Sequence, residues 1–255
     1  MKNAIKALLK RAGYDLRKLP DTPQVEIDGS IVRWHESGHE LRFYIENRYD
    51  LIGKDIFNCR FFEREELNAL SKIVSPKGTC VDVGANIGNH AIFFATLMEA
   101  DKVIAFEPGD FAHPRLCFNI ALNDLSDRVT VRKVALSEAP GEAEMRFIAE
   151  GNHGTLAILG QGEGEGATQT VKMERGDDLL KDEDVTLLKV DAERHEMAVL
   201  RGLHETIERC KPVILVEAAQ CDRDKTEAHL ASYGYTTQHA FERYGDIVNL
   251  IAVAR

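Results

Sequence analysis

Apolar and polar positions change rhythm along the chain, and each change predicts a different kind of element. In residues 1–20, Ile5, Leu8, Leu9, Ala12, Leu16 and Leu19 recur near the helical period. Lys2, Lys6, Lys10, Arg11, Arg17 and Lys18 fall on the other side, which predicts a basic amphipathic helix. From Val25 to Asn47 the period shortens to two (VEIDGSIVRWHESGHELRFYIEN), with Asp28-Gly29 and Ser37-Gly38 as turn signals, and a small antiparallel element is expected there. Between Glu63 and Val74, Leu67, Leu70, Ile73 and Val74 share one helical face, and Pro76-Lys77-Gly78 ends that helix.

From Thr79 onward, short apolar runs alternate with helical stretches. The order is TCVDVG (79–84), a helix over about 89–99, KVIAFEP (102–108), a helix over about 111–122, and RVTVRKVAL (128–136). After a glycine-rich interruption come VTLLKVD (185–191), a helix over about 195–209, PVILVE (212–217), a helix over about 224–232, and the runs YTTQHA and DIVNLIAVA around Tyr244-Gly245-Asp246. This βαβ alternation predicts an α/β fold with a mostly parallel, doubly wound sheet, closed by a C-terminal antiparallel hairpin. Three segments result: the basic helix (1–20), a small β/helix extension (21–78) and the main domain (79–255). Leu200, Leu203, Ile207 and Cys210 share a face, so 195–209 reads as a sheet-covering helix.

A chain of 255 residues accommodates one sizeable core with trimmings. The net charge of −10 works against attraction to nucleic-acid phosphate. No run of about 18 apolar residues occurs to span a membrane. The basic 1–20 segment leaves two readings open: contact with anionic lipid at the inner membrane face, or packing on the body or a partner. Cys59, Cys80, Cys117, Cys210 and Cys221 form no zinc spacing and read as buried, reduced thiols of a cytoplasmic protein. No metal is expected, although Asp191 with Glu193 would hold a hard cation weakly.

The sharpest chemical signal is Asp82-Val83-Gly84-Ala85-Asn86-Ile87-Gly88, where a buried strand becomes a helix. Glycines there let backbone N–H groups approach a ligand, but the middle glycine of a dinucleotide fingerprint is replaced by Asn86, which disfavours an NAD-dependent oxidoreductase. An acid opening the loop suits a ligand that brings a cation to it. Glu107 closes the next strand 23 positions after Gly84, where a carboxylate accepts hydrogen bonds from ribose hydroxyls.

These motifs, with VALSEAPGE (134–142), GNHGTLAIL (151–159), RGDDLL (175–180), LLKVDAERHEMAVLRGLHETI (187–207) and KPVILVE (211–217), resemble the FkbM-type family of S-adenosylmethionine-dependent methyltransferases over roughly 79–217. The resemblance implies a Rossmann-like class I methyltransferase fold and O-methylation of a sugar, glycolipid or natural-product hydroxyl. It implies that Asp82, Gly84, Asn86 and Gly88 line the methionine end of the cofactor, that Glu107 holds the ribose, and that Ala135 and Leu136 flank the adenine. Where the family usually reads Asp-Val-Glu-Gly, this chain has Asp191-Ala192-Glu193-Arg194, and arginine does not readily take the positive φ that glycine allows.

Methyl transfer from a sulfonium requires in-line alignment of the acceptor oxygen and removal of its proton. Asp191, Glu193 and His195 are the candidate catalytic residues, with Glu217 ending the neighbouring strand. Residues 151–170 hold six of the 19 glycines, and Asn152 and His153 are candidates for a lid over the acceptor. A second reading keeps the fold and the cofactor pocket in a non-catalytic scaffold of a biosynthetic complex, and oligomeric state is open.

Overall fold

A computed structural model of the protein describes residues 29–74, 77–147, 156–158, 168–243 and 245–255. The basic helix expected at 1–20 and the lid candidates Asn152 and His153 lie outside the described residues. Among the described residues, no helix is long and apolar enough to cross a membrane.

The hairpin forms where alternation predicts it. Strand β1 (Ser30–Glu36) pairs antiparallel with β2 (His39–Ile45), Trp34 opposite Leu41. Ser37 and Gly38 both take positive φ (51° and 87°), as a two-residue hairpin turn of matching twist requires. Helix α1 (Leu51–Phe57) follows, capped by Asp50, whose carboxylate accepts the Gly53 N–H at 2.5 Å. Helix α2 (Arg64–Ile73) matches the predicted segment.

The main domain runs β3 (Thr79–Val83), α3 (Asn89–Thr96), β4 (Lys102–Phe106), α4 (Ala112–Leu122) and β5 (Val129–Arg132). It continues with β6 (Ala135–Ser137), β7 (Gly141–Phe147), β8 (Leu156–Ile158), β9 (Thr168–Arg175), α5 (Gly176–Leu180) and β10 (Val185–Val190). Then come α6 (Glu196–Gly202), α7 (His204–Cys210), β11 (Val213–Ala219), α8 (Arg223–Ser232), β12 (Tyr235–Glu242) and β13 (Ile247–Ala254). The seven-stranded sheet has the order β12-β13-β11-β10-β3-β4-β5; β13 runs antiparallel to both β11 and β12. The predicted fold class, closing hairpin included, is therefore present. The chain leaves β3 toward β4 and β5, then returns to β10 on its other side, so the ligand-binding switch point of a doubly wound sheet lies between the ends of β3 and β10.

Three expectations are corrected. RVTVRKVAL does not make one strand: β5 joins the main sheet, and after Lys133-Val134 the chain turns into β6, part of a second sheet ordered β6-β9-β7-β8. The 195–209 helix is two helices, because Asp177 caps α7 from outside, its carboxylate accepting the N–H groups of Glu205 (3.1 Å) and Thr206 (2.8 Å). All five cysteines are free, but only Cys80 is buried; Cys59, Cys117 and Cys221 are exposed and Cys210 is half-buried.

The central strands of the main sheet feed two cores. In β4, Val103 and Ala105 join the layer of α2 and α3, while Ile104 and Phe106 join the layer of α6 and α7. The N-terminal hairpin shares the first core: Trp34 and Phe43 meet Phe61 edge-on at 5.4 and 5.8 Å, and Phe61 meets Phe93 of α3 edge-on at 5.1 Å. The edge of β2 is clasped by side-chain amides of α4. Asn119 accepts the Tyr44 N–H (2.7 Å) and donates to its carbonyl (3.3 Å), and Asn123 does the same for Arg42 (2.9 and 2.6 Å). A rise of four helical residues, about 6 Å, nearly matches two strand residues of about 6.8 Å, so the amides stand in for a neighbouring strand. This clasp fixes Tyr44 and the residues after β2 over the end of the sheet.

Candidate active site

The turn from β3 into α3 is made of left-handed residues: Gly84 (φ 74°), Asn86 (φ 49°) and Gly88 (φ 98°). The N–H groups of Gly84 and Ala85 donate to Phe106 O at 2.9 and 3.0 Å, tying this turn to the end of β4. There Glu107 is buried, with Oε2 accepting the Asn86 N–H and Oε1 the Gly109 N–H, both at 2.8 Å. Burial pushes its carboxyl up to about 7, against the pull of those two donors.

Gly84, Asn86, Glu107, Ala135 and Leu136 line one cavity at the switch point, together with Asp191, Glu193 and His195. Asp82 and Gly88 are placed elsewhere. Asp82 is fully buried and faces Lys189 Nζ at 3.2 Å, and Gly88 caps α3 against Leu116 and Ile92; neither lines this cavity.

A second cavity, of about 290 Å³, shares Gly84, Asn86, Asp191 and Glu193 with the first. Its wall comes from the N-terminal extension, including Tyr44, Asn47, Asp50 and Phe62, and from His90, Arg115 and Glu217. Arg115 pairs with Glu46 between α4 and the segment after β2. The structure thus brings the three candidate catalytic residues together on the first cavity, and only Asp191 and Glu193 reach the second as well. His195 sits on the first side, its Nε2 3.0 Å from Ser137 Oγ, and burial, with Arg201 nearby, disfavours its protonation.

Sequence reasoning missed the group at the centre of the junction. Lys189, the single charged residue of VTLLKV, is buried with Nζ 3.2 Å from Asp82 and 3.3 Å from Asp191, and it donates to the carbonyls of Gly84 (2.8 Å) and Val83 (3.2 Å). Burial alone would favour the neutral amine, but Asp191, Asp82 and Glu63 outweigh it and hold the ammonium. A cation in an otherwise apolar strand was the available signal. Burial raises Asp191 while Lys189 opposes it; burial and the neighbouring Asp191 push Glu193 up to about 8.

Glu217 is raised to about 10, by burial and then by Asp191 and Glu193. With a folded value above the unfolded one, its protonated form favours folding at low pH, and this contribution is lost as pH rises from the usual carboxylate range through that value. Glu217→Gln is expected to raise Tm by about 5 °C near pH 8 and to flatten the decline of stability between about pH 5 and 9. Thermal unfolding across that range checks it, and an unchanged slope refutes it.

Asp191, Glu196 and Glu217 place one ligand oxygen each within 4.8 Å of one another. Glu196 already uses Oε1 to accept the N–H groups of Ala192 and Arg194, both at 3.0 Å. That bracket supports a strained loop in which Glu193 (φ 49°) and Arg194 (φ 76°) are both left-handed. Arg194 therefore adopts the backbone that glycine favours, with its side chain exposed.

The chain is 27% identical over 201 residues to the hexuronic acid methyltransferase AglP of Haloferax volcanii, covering 75% of this chain and 76% of that one. It is 28% identical over 155 residues to the methyltransferase sdnD of Sordaria araneosa, covering 49% of this chain and 60% of that one. In structure it superposes on a Clostridium thermocellum protein provisionally described as an rRNA methylase, with a TM-score of 0.50 at 15% identity, covering 74% of this chain and 93% of that one. That likeness concerns the fold alone. The sequence profile of the methyltransferase FkbM domain matches residues 82–243, from the acid that opens the glycine turn to the end of β12, and the chain belongs to the FkbM methyltransferase family.

Proposed function

We propose that this methyltransferase takes S-adenosylmethionine as its methyl donor and O-methylates a sugar-type hydroxyl. The observation that carries the reading is the meeting of the two cavities at Gly84, Asn86, Asp191 and Glu193. The residues of the first fit the donor. Each Glu107 oxygen accepts one backbone N–H and keeps a lone pair for a ribose hydroxyl. Val134, Ala135, Leu136 and Met145 offer apolar contact for a purine. When bound, the donor supplies a methyl group on a sulfonium leaving group.

The second cavity is near the lower end, about 300 Å³, of small-ligand sites. It combines the rings of Tyr44 and Phe62 with amides and acids, a lining suited to a compact molecule rich in hydroxyls. Burial and the neighbouring Asp191 raise Glu193 to about 8 and Glu217 to about 10, which favours their protonated, hydrogen-bond-donating forms toward acceptor oxygens, while Asp191 Oδ2 faces Lys189 Nζ at 3.3 Å. The named activity of the Haloferax relative supports a saccharide acceptor.

The test has two steps. Calorimetric titration with S-adenosylhomocysteine is expected to show micromolar binding, and labelled methyl transfer to a panel of hexuronides, neutral hexosides and amines is expected to give a methyl ether on a saccharide. Transfer to nitrogen overturns the O-methylation. Binding without transfer to any acceptor favours the scaffold reading.

A further inference from the structure

One residue on the wall of the second cavity belongs to a buried pair of titratable side chains that the reading above leaves without a task. His90, in the first turn of α3, lines that cavity with Asp191, Glu193 and Glu217. Its Nε2 lies 3.1 Å from Glu63 Oε2, and both side chains are about 7% exposed or less. Glu63 is itself built in. It stands at the N-cap of α2 in a left-handed conformation (φ 56°), a strained backbone that needs surrounding structure to hold it. Asn249 Nδ2 donates to Glu63 at 2.6 Å and to Glu66 at 3.2 Å, and Glu66 pairs with Arg243. Burial would raise the Glu63 carboxyl, but His90, Asn249 and Lys189 outweigh it and hold it below the usual range.

The neighbouring residue fixes which ring nitrogen carries the lone pair. Asn89 accepts the Phe62 N–H at 2.9 Å and donates to the Phe62 carbonyl at 3.1 Å, so its amide cannot be flipped without breaking both bonds. That orientation leaves the Asn89 NH₂ group 3.4 Å from His90 Nδ1. A donor 3.4 Å from Nδ1 and a carboxylate 3.1 Å from Nε2, close to it though not aligned as a hydrogen bond, favour the tautomer with hydrogen on Nε2 and the lone pair on Nδ1. The 3.4 Å contact is long, so a hydroxyl at ordinary hydrogen-bond length displaces it.

We infer that His90 is the base of the reaction and Glu63 its positioning residue; the inference rests on the O-methylation proposed above. His90 Nδ1 takes the hydroxyl proton as an oxygen electron pair forms the bond to the methyl carbon. The electron pair of the breaking carbon–sulfur bond stays on sulfur, which leaves as a neutral thioether. The imidazolium so formed is held by Glu63. Glu193 and Glu217, both raised by burial and by Asp191, are poor competitors for this task, and Asp191 is engaged by Lys189 Nζ at 3.3 Å.

Protein labelled with ¹⁵N-histidine, read with and without S-adenosylhomocysteine and assigned against His90→Gln, is expected to show the Nε2–H tautomer at His90 and a mixture of tautomers in Glu63→Gln. An Nδ1–H tautomer in the wild-type protein overturns the inference. On the acceptor that the panel identifies, His90→Gln is expected to lower kcat by about 100-fold or more, and Glu63→Gln by about tenfold. Affinity for S-adenosylhomocysteine should stay within about threefold in both variants. Unchanged kcat, or a loss of affinity that accounts for the whole defect, overturns it. A folded wild-type protein that binds no S-adenosylhomocysteine refutes the cofactor reading instead, while the tautomer of the unliganded protein still decides the assignment of His90.

Discussion

Glu107→Ala is expected to weaken binding of S-adenosylhomocysteine by about 100-fold or more in calorimetric titration, an effect of about 2.7 kcal/mol. Hydrogen bonds to a charged acceptor contribute about 1.5–3 kcal/mol each, and a ribose diol makes two of them to one carboxylate. The same truncation strips the N–H groups of Asn86 and Gly109 of their partner, so the turn that walls the cavity loosens as well. Glu107→Gln keeps one acceptor oxygen and should lose about tenfold. Acid titration gives an independent check. With the carboxyl pushed up to about 7 by burial, the form that accepts both hydroxyls is depleted below that value. Affinity should then fall by up to about tenfold per pH unit below it, and Glu107→Gln should lose this dependence. The stability of the unliganded fold responds in the opposite sense. The folded value exceeds the unfolded one, so the contribution of Glu107 is fully present at low pH and lost as pH rises from the usual carboxylate range through about 7. Equal affinity in Glu107→Ala and wild type would refute the assignment of this residue.

Glu107 was legible in the sequence because the features that mark it are local: a buried parallel strand, an acid at its carboxyl end, and a glycine turn on the preceding strand. The central strands were legible for a related reason. Both faces of β4 and β10 are covered, so their apolar runs are nearly continuous and leave little room for another assignment. What escaped is carried by pairs distant in sequence. His90 and Glu63 meet across two helices, Asp177 ends one helix and starts another, and Asn119 and Asn123 read as ordinary polar positions until β2 lies beside them. The second sheet is a different case. Ala143 and Met145 alternate in β7, as Val171 and Met173 do in β9, and that signal was present within a stretch read as a glycine-rich interruption. The part of the site that faces the first cavity was thus readable from motifs, whereas the wall of the second depends on an N-terminal extension whose packing no local pattern encodes.

Gly84→Ala is expected to do the most structural damage of any single methyl group added near the site. Gly84 has φ 74°, and a Cβ built there would sit 1.8 Å from the Asp191 carbonyl oxygen and 3.0 Å from its carbon. The obstacle is backbone, so no side-chain rotation relieves it. The strands around it are stitched together: Asp191 N–H donates to Val83 O at 3.1 Å, and Lys189 reaches the carbonyls of both Val83 and Gly84. The methyl therefore pries β3 from β10 at the switch point. A left-handed alanine costs about 1–2 kcal/mol and overpacking about 1–3 more. At about 2–4 °C per kcal/mol for a chain of this size, Tm should fall by about 4–20 °C. Gly88→Ala separates conformational strain from the clash. It shares a positive φ (98°), but its nearest obstacle is Leu116 Cδ1 at 2.9 Å, the movable end of a side chain. Its Tm should fall less, and it should keep its affinity for S-adenosylhomocysteine. Gly84→Ala, measured well below its own Tm, should lose that affinity, because Gly84 and Asp191 line both cavities and the splay opens where the two meet. Equal Tm and equal affinity in the two alanine variants would mean that β3 and β10 separate freely at their ends, and that Gly84 does not hold the two cavities in register.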